Sequence, residues 1–158
     1  MEIKVETVIY PLPDDFLLFE KEKKWRVKLP EVYKEFIKKN NGASPVKDSF
    51  LCGKRSYAID RFLCILKVTG ERNDEFYDIG VVRTQLEERI VSDENLVGTE
   101  LLPIAVLFAG NFVCLDFRNT DGKEPSVCVW DHEESSDLDP VTYFTSNNFE
   151  TFLNMLTE

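Results

Sequence analysis

The sequence predicts an α+β fold in a single domain over 1–158: a mostly antiparallel central sheet flanked by helices, with helices near the N-terminus and an amphipathic helix at the C-terminus. Three observations carry this. Leu29 to Gly42, LPEVYKEFIKKNNG, is marked as a helix at both ends; Pro103 to His132 alternates apolar runs with turn signals; and Asn148 to Leu156, NFETFLNML, repeats its apolar residues at helical spacing. Twelve phenylalanines and a 43% hydrophobic content in 158 residues suffice for a buried core, and no repeat or low-complexity linker divides the chain.

Taken in order, Pro11-Leu12-Pro13-Asp14-Asp15 signals a turn and a helix start. Phe16, Leu17 and Phe19 supply the apolar weight of a short helix, which the basic run Lys21 to Lys24 is expected to end. In the next helix Pro30 suits the first turn, Glu31 the positive end of the helix dipole, Lys38 and Lys39 the negative end, and Asn41-Gly42 the stop. Val32, Tyr33, Phe36 and Ile37 form its apolar stripe, which makes Tyr33 a packing residue and not a proton donor. Two strands are expected next, SFLCG from Ser49 and RFLCILKV from Arg61, followed by a polar turn at Gly70 to Asn73. Asp78 to Ile90 reads as helix because Ile79, Val82, Leu86 and Ile90 recur at helical spacing.

The last third predicts a three-stranded meander: LPIAVLFA, a Gly110-Asn111 turn, NFVCLDF, a loop NTDGKEP containing Asp121-Gly122, and SVCVWDH. Val113, Leu115 and Phe117 alternate with Phe112, Cys114 and Asp116, as Val127, Val129 and Asp131 do with Cys128, Trp130 and His132. Apolar groups on both faces mark inner strands. Asn147 and Glu150 have capping-box spacing before the terminal stripe Phe149, Phe152, Leu153 and Leu156.

Composition excludes several classes. The N-terminus MEIKVETVIYPLPDD carries acids where a secretory leader has basic and apolar residues, and no later run approaches a membrane span, so a cytoplasmic protein without a membrane partner is expected. Cys52, Cys64, Cys114 and Cys128 are scattered without a C-x-x-C, which disfavours zinc and a disulfide framework. With 29 acidic against 19 basic residues the formal charge is −10, which repels nucleic acid. It suits a basic protein partner. Solubility alone also explains an acidic surface.

The single histidine, His132, lies between Asp131 and Glu133, with Asp116 upstream. Catalysis needs a base in reach of a nucleophile and a group that orients it. Asp131 does not orient His132 while both are on a strand, since neighbours there point to opposite faces. Asp116, on the partner strand, could meet Trp130 or His132 across the pair in a structural hydrogen bond. No serine or cysteine stands in a G-x-S-x-G context. Asp116, Asn119, Asp121 and Gly122 resemble a calcium loop in part, but the first acid falls one place early and the closing glutamate is missing. Gly53-Lys54 lacks the rest of a phosphate loop, so no metal or cofactor is implied. The run DHEESSDLD remains, and Asp131, Glu133, Glu134, Asp137 and Asp139 are the candidate anionic edge for a partner; a solvated loop is the plainer alternative. An exposed Phe or Trp between 50 and 76 is a second candidate anchor.

LPEVYKEFIKKNNG resembles the L-P-x-x-Y-x-x-F-hydrophobic-x-x-x-N-G element of the SUKH superfamily, the Smi/Knr type of cell-wall-assembly regulator domain, through Leu29, Pro30, Tyr33, Phe36, Asn41 and Gly42. The later wording is similar too: Pro103 in P-I-A, Gly110 and Asp116 bracketing NFVCL, Trp130 and His132 in W-D-H-E, and the closing helix. Ala43 replaces a frequent second glycine, and VTYFTSN is bulkier than the usual run before the last helix. The resemblance implies a bacterial immunity protein that binds and neutralises a cognate toxin domain, commonly a nuclease, by stoichiometric occlusion and without catalysis. A nuclease groove is basic, so clustered carboxylates compete with its substrate. The alternatives are a regulatory or scaffold domain that binds a host protein, and a small hydrolase using Asp116, His132 and Glu133.

Overall fold

The computed structural model describes residues 1–96, 98–120 and 123–158. Among these, the helices α1 (Asp15–Trp25), α2 (Glu31–Asn40), α3 (Ile79–Leu86) and α4 (Phe149–Met155) accompany strands β1 (Ser49–Cys52), β2 (Arg55–Phe62), β3 (Leu101–Leu107), β4 (Phe112–Asp116), β5 (Ser126–Trp130) and β6 (Thr142–Ser146). The strands form one antiparallel sheet in chain order, an α+β single-domain arrangement. Asp121 and Gly122, in the expected hairpin loop and the partial calcium pattern, lie outside the described residues.

Asp14 caps α1, its carboxylate accepting the Leu17 N–H at 2.8 Å. The basic run ends the helix as expected, one residue before its last. Lys23 and Lys24 form its last turn, where cations favour the negative end of the dipole, and buried Trp25 anchors the end before Arg26 turns left-handed at φ 57°. Its buried residues are Leu18 and Trp25, whereas Phe16 and Phe19 are 69% and 55% exposed.

Tyr33, Phe36 and Ile37 of α2 are buried, and Val32 stands at the exposed margin of the stripe. Tyr33 meets Phe149 edge-on at 5.2 Å, and burial pushes its phenol far above its ordinary pKa. After the helix, Asn41 is fully buried. Its amide donates to the Ile9 carbonyl at 3.0 Å and its oxygen accepts the Ile65 N–H at 2.8 Å. Gly42 follows at φ +71°, where a Cβ would stand 2.5 Å from Ile9 Cδ1.

The expected strand RFLCILKV is displaced. The second strand starts at Arg55 and ends at Phe62, and Leu63 to Leu66 are buried but not laddered. Their amides go in turn to Ile104 O, Tyr77 O, Asn41 Oδ1 and Asp78 Oδ1, four partners from three separate segments. The expected helix over 78–90 begins as predicted, with Asp78 capping through the Val81 N–H, but its α-helical part ends at Leu86; a 3-10 turn over Glu87–Ile90 carries Ile90 into the core.

Pro103 sits at the irregularity between Pro103 and Ala105 in the β3/β4 ladder, where a missing N–H is tolerated. Strand β6 has no counterpart among the predicted elements. It pairs with β5, and the Cys52 thiol of β1 donates to the Phe144 carbonyl of β6 at 3.1 Å, so the curled sheet brings its two edges together. The α4 cap is Asn148, accepting from the Thr151 N–H at 2.8 Å, and not the expected Asn147. From α4, Phe149 and Phe152 join Phe36, Phe50 and Phe62 in an edge-on aromatic cluster between the helices and the sheet.

A candidate protein-binding surface

At the end of β5 the chain turns sharply, and Asp131 makes the turn. Its Oδ1 accepts the N–H groups of Glu133 and Glu134, both at 2.9 Å, and its own N–H donates to Val141 O at 2.9 Å. Asp131 is only 8% exposed. Its expected place in the anionic edge is therefore corrected: it folds the loop from within, with Arg55 Nη1 3.8 Å from its other oxygen. Glu133, Glu134, Asp137 and Asp139 are exposed along the same loop, which Ser135 braces by accepting the Val141 N–H at 2.8 Å.

His132 has a packing environment. Its N–H donates to Asn111 Oδ1 at 3.0 Å, the Arg89 guanidinium donates to its carbonyl, and its ring lies over Gly110. A Cβ at Gly110 would stand 3.3 Å from His132 Nε2, at a backbone φ of +93°. Trp130, fully buried, donates from its indole to Arg89 O at 3.0 Å while the Arg89 guanidinium covers its ring.

Asp116 does not meet Trp130 or His132. The register pairs Asp116 with Ser126 and Phe112 with Trp130, which places Asp116 at the opposite end of the β4/β5 ladder. It instead grips Arg118 through two hydrogen bonds of 2.9 and 2.8 Å, and Arg118 reaches Thr142 Oγ1 at 2.8 Å, tying β4 to β6. The hydrolase constellation Asp116, His132 and Glu133 is thus not assembled. Among the described residues no group of three or more His, Cys, Asp or Glu could hold a metal ion. Cys52, Cys64, Cys114 and Cys128 are buried free thiols, and burial pushes that of Cys64 up to about 12.

The fold adds two acids to the loop that local patterns do not connect with it. Glu87 and Glu88 are exposed on the 3-10 turn, and the Leu138 N–H donates to Glu88 O at 2.8 Å. Six exposed carboxylates thus lie on two segments more than forty residues apart that this backbone contact joins. There Tyr143 donates to Glu134 Oε2 at 2.9 Å, and Arg55 stacks 3.9 Å above the Tyr143 ring. Phe108, in the turn that ends at Gly110, is exposed. Of the region 50–76, Leu51, Val68 and Phe76 are the exposed large apolar residues.

The chain matches the family model SUKH_6, described as SMI1-KNR4 cell-wall, over residues 15–153. It belongs to this family. No curated protein and no solved structure matches the chain. No helix among the described residues is long and apolar enough to cross a membrane.

Proposed function

We propose that this chain is an immunity protein that binds a cognate basic toxin domain, of the nuclease kind, and neutralises it by occupying its substrate groove. The observation that supports this most is the set of exposed carboxylates, Glu87, Glu88, Glu133, Glu134, Asp137 and Asp139, on two segments held by Asp131 and by the Leu138–Glu88 hydrogen bond, on a chain of net charge −10. A preorganised anionic ridge presents to a phosphate-binding groove the charge pattern it is built to receive, and loses little entropy on docking. Exposed Phe108 provides an apolar anchor near the turn that carries His132. The work is done by occupancy in the bacterial cytoplasm and calls for no bond-making by Asp116, His132 or Glu133. Membership in the SMI1-KNR4 cell-wall family is compatible with this role.

Titration calorimetry with the toxin domain tests it: a one-to-one complex whose affinity falls steeply with salt is expected, and salt-independent binding would count against the ridge. A host protein bound by the same face in place of a toxin is the second reading, which the same titration separates.

A further inference from the structure

A second surface, of the opposite sign, lies along α1. The helix turns Leu18 and Trp25 inward and carries two further large apolar residues, Phe16 and Phe19, on its exposed face. Beside them is a groove of about 510 Å³ with Pro11, Leu12, Phe16 and Leu17 among its walls and Lys21, Lys24 and Lys67 at its rim.

The groove's two acids are already engaged: Asp14 accepts the Leu17 amide, and Glu20 lies 3.6 Å from Lys23. The three rim lysines form no ion pair among the described residues, although Lys23, Lys34 and Lys38 on neighbouring surface all do. Lys21 is half-buried, and the loss of solvent lowers its pKa. Three lysines outnumber Asp14 and Glu20 in the groove's lining, with Asp78 acting on Lys21 from beside it, so the cleft is locally cationic on a chain with ten more acids than bases.

We propose that this groove docks an acidic segment of a partner protein, which seats a bulky apolar side chain between Leu12 and Phe16 and sets carboxylates against Lys21, Lys24 and Lys67. A protein segment fits better than an anionic bilayer for two reasons. The site is concave, so a single side chain enters where a flat headgroup layer does not, and the chain's net charge repels an extended anionic surface. The proposal is independent of the toxin-binding ridge, which carries the opposite charge.

The test uses the full chain and a fluorescein-labelled peptide in which a Leu-Trp pair is flanked on both sides by glutamates. Anisotropy at low salt should report binding, and amide shifts in the NMR spectrum should centre on residues 10–24 and on Lys67. Lys24→Glu together with Lys67→Glu should raise Kd about tenfold or more, and Phe16→Ala should weaken it as well. These side chains are exposed, so an unchanged melting midpoint accompanies the loss. Glu133→Lys with Glu134→Lys, on the ridge, should leave peptide binding intact. The proposal is overturned if the peptide does not bind at low salt, if it binds regardless of the lysine reversals, or if the shifts map elsewhere. It is equally overturned if phosphatidylglycerol vesicles bind through these lysines while the peptide does not, or if sedimentation shows a second copy of the chain filling the groove.

Discussion

The amide of Leu138 donates to the carbonyl of Glu88 at 2.8 Å, and this one backbone contact fixes the acidic loop to the 3-10 turn that follows α3. Leu138 adopts φ 60°, a left-handed conformation uncommon outside glycine, so the contact is made from a constrained backbone. Arg89, next in the chain, donates to His132 O and covers Trp130, which joins the same two segments a second time.

If the ridge acts as one surface, reversing either half must weaken the complex. Glu87→Lys with Glu88→Lys, and separately Asp137→Lys with Asp139→Lys, should each reduce toxin affinity about tenfold at low salt and flatten its salt dependence. Most of the loss should appear in the association rate, measured by stopped flow.

Asp131 is predicted to act on shape and stability. Asp131→Ala removes the acceptor of two loop amides and leaves them without a partner, at a cost of about 1–2 kcal/mol in urea unfolding. Hydrogen exchange should quicken at the Glu133 and Glu134 amides. Unchanged exchange would show that the turn closes without the cap.

Asn41 is fully buried and bonds two separate backbone segments. Asn41→Ala strands the Ile9 carbonyl and the Ile65 N–H in the interior, and an unfolding free energy lower by about 3 kcal/mol is expected. The change should detach the segment around Ile9, visible as protease cleavage ahead of α1.

Acid should weaken one surface tie selectively. The hydrogen bond from Lys38 holds Asp15 below its ordinary value of 3.8, so its folded-state pKa is lower than its unfolded one. The stability it contributes is present above 3.8 and is lost as pH falls through the folded value. Asp15→Asn should therefore have a lower urea midpoint than the parent at neutral pH and converge with it in strong acid. The pair is exposed, so the difference should also shrink in high salt.

Elements with chemically marked ends were legible in the sequence. Helix α2 was bounded by Pro30, Glu31, Lys38, Lys39 and Asn41-Gly42, and the β4/β5 pair was apparent from its alternation and turns. Strand β2 was misplaced because RSYAIDRF is half-exposed and polar, whereas the more apolar LCIL is buried by scattered hydrogen bonds and not by a ladder. Strand β6 was not legible although Thr142, Tyr143, Phe144 and Thr145 all favour strands, since it is mostly half-exposed and lacks an alternating apolar pattern. The acids of the loop were visible as a run. That Asp131 turns inward while Glu87 and Glu88 join from the other side depends on tertiary contacts, which no local pattern encodes.

The most direct measurement of the central claim is co-expression of this chain with candidate cognate toxin domains of the nuclease kind, scoring survival and then co-purification. Rescue of growth with a stoichiometric complex, lost when Glu133, Glu134, Asp137 and Asp139 are changed to lysine, is the predicted result. Growth arrest with no complex, or rescue and co-purification that persist through those reversals, would contradict neutralisation through the acidic ridge.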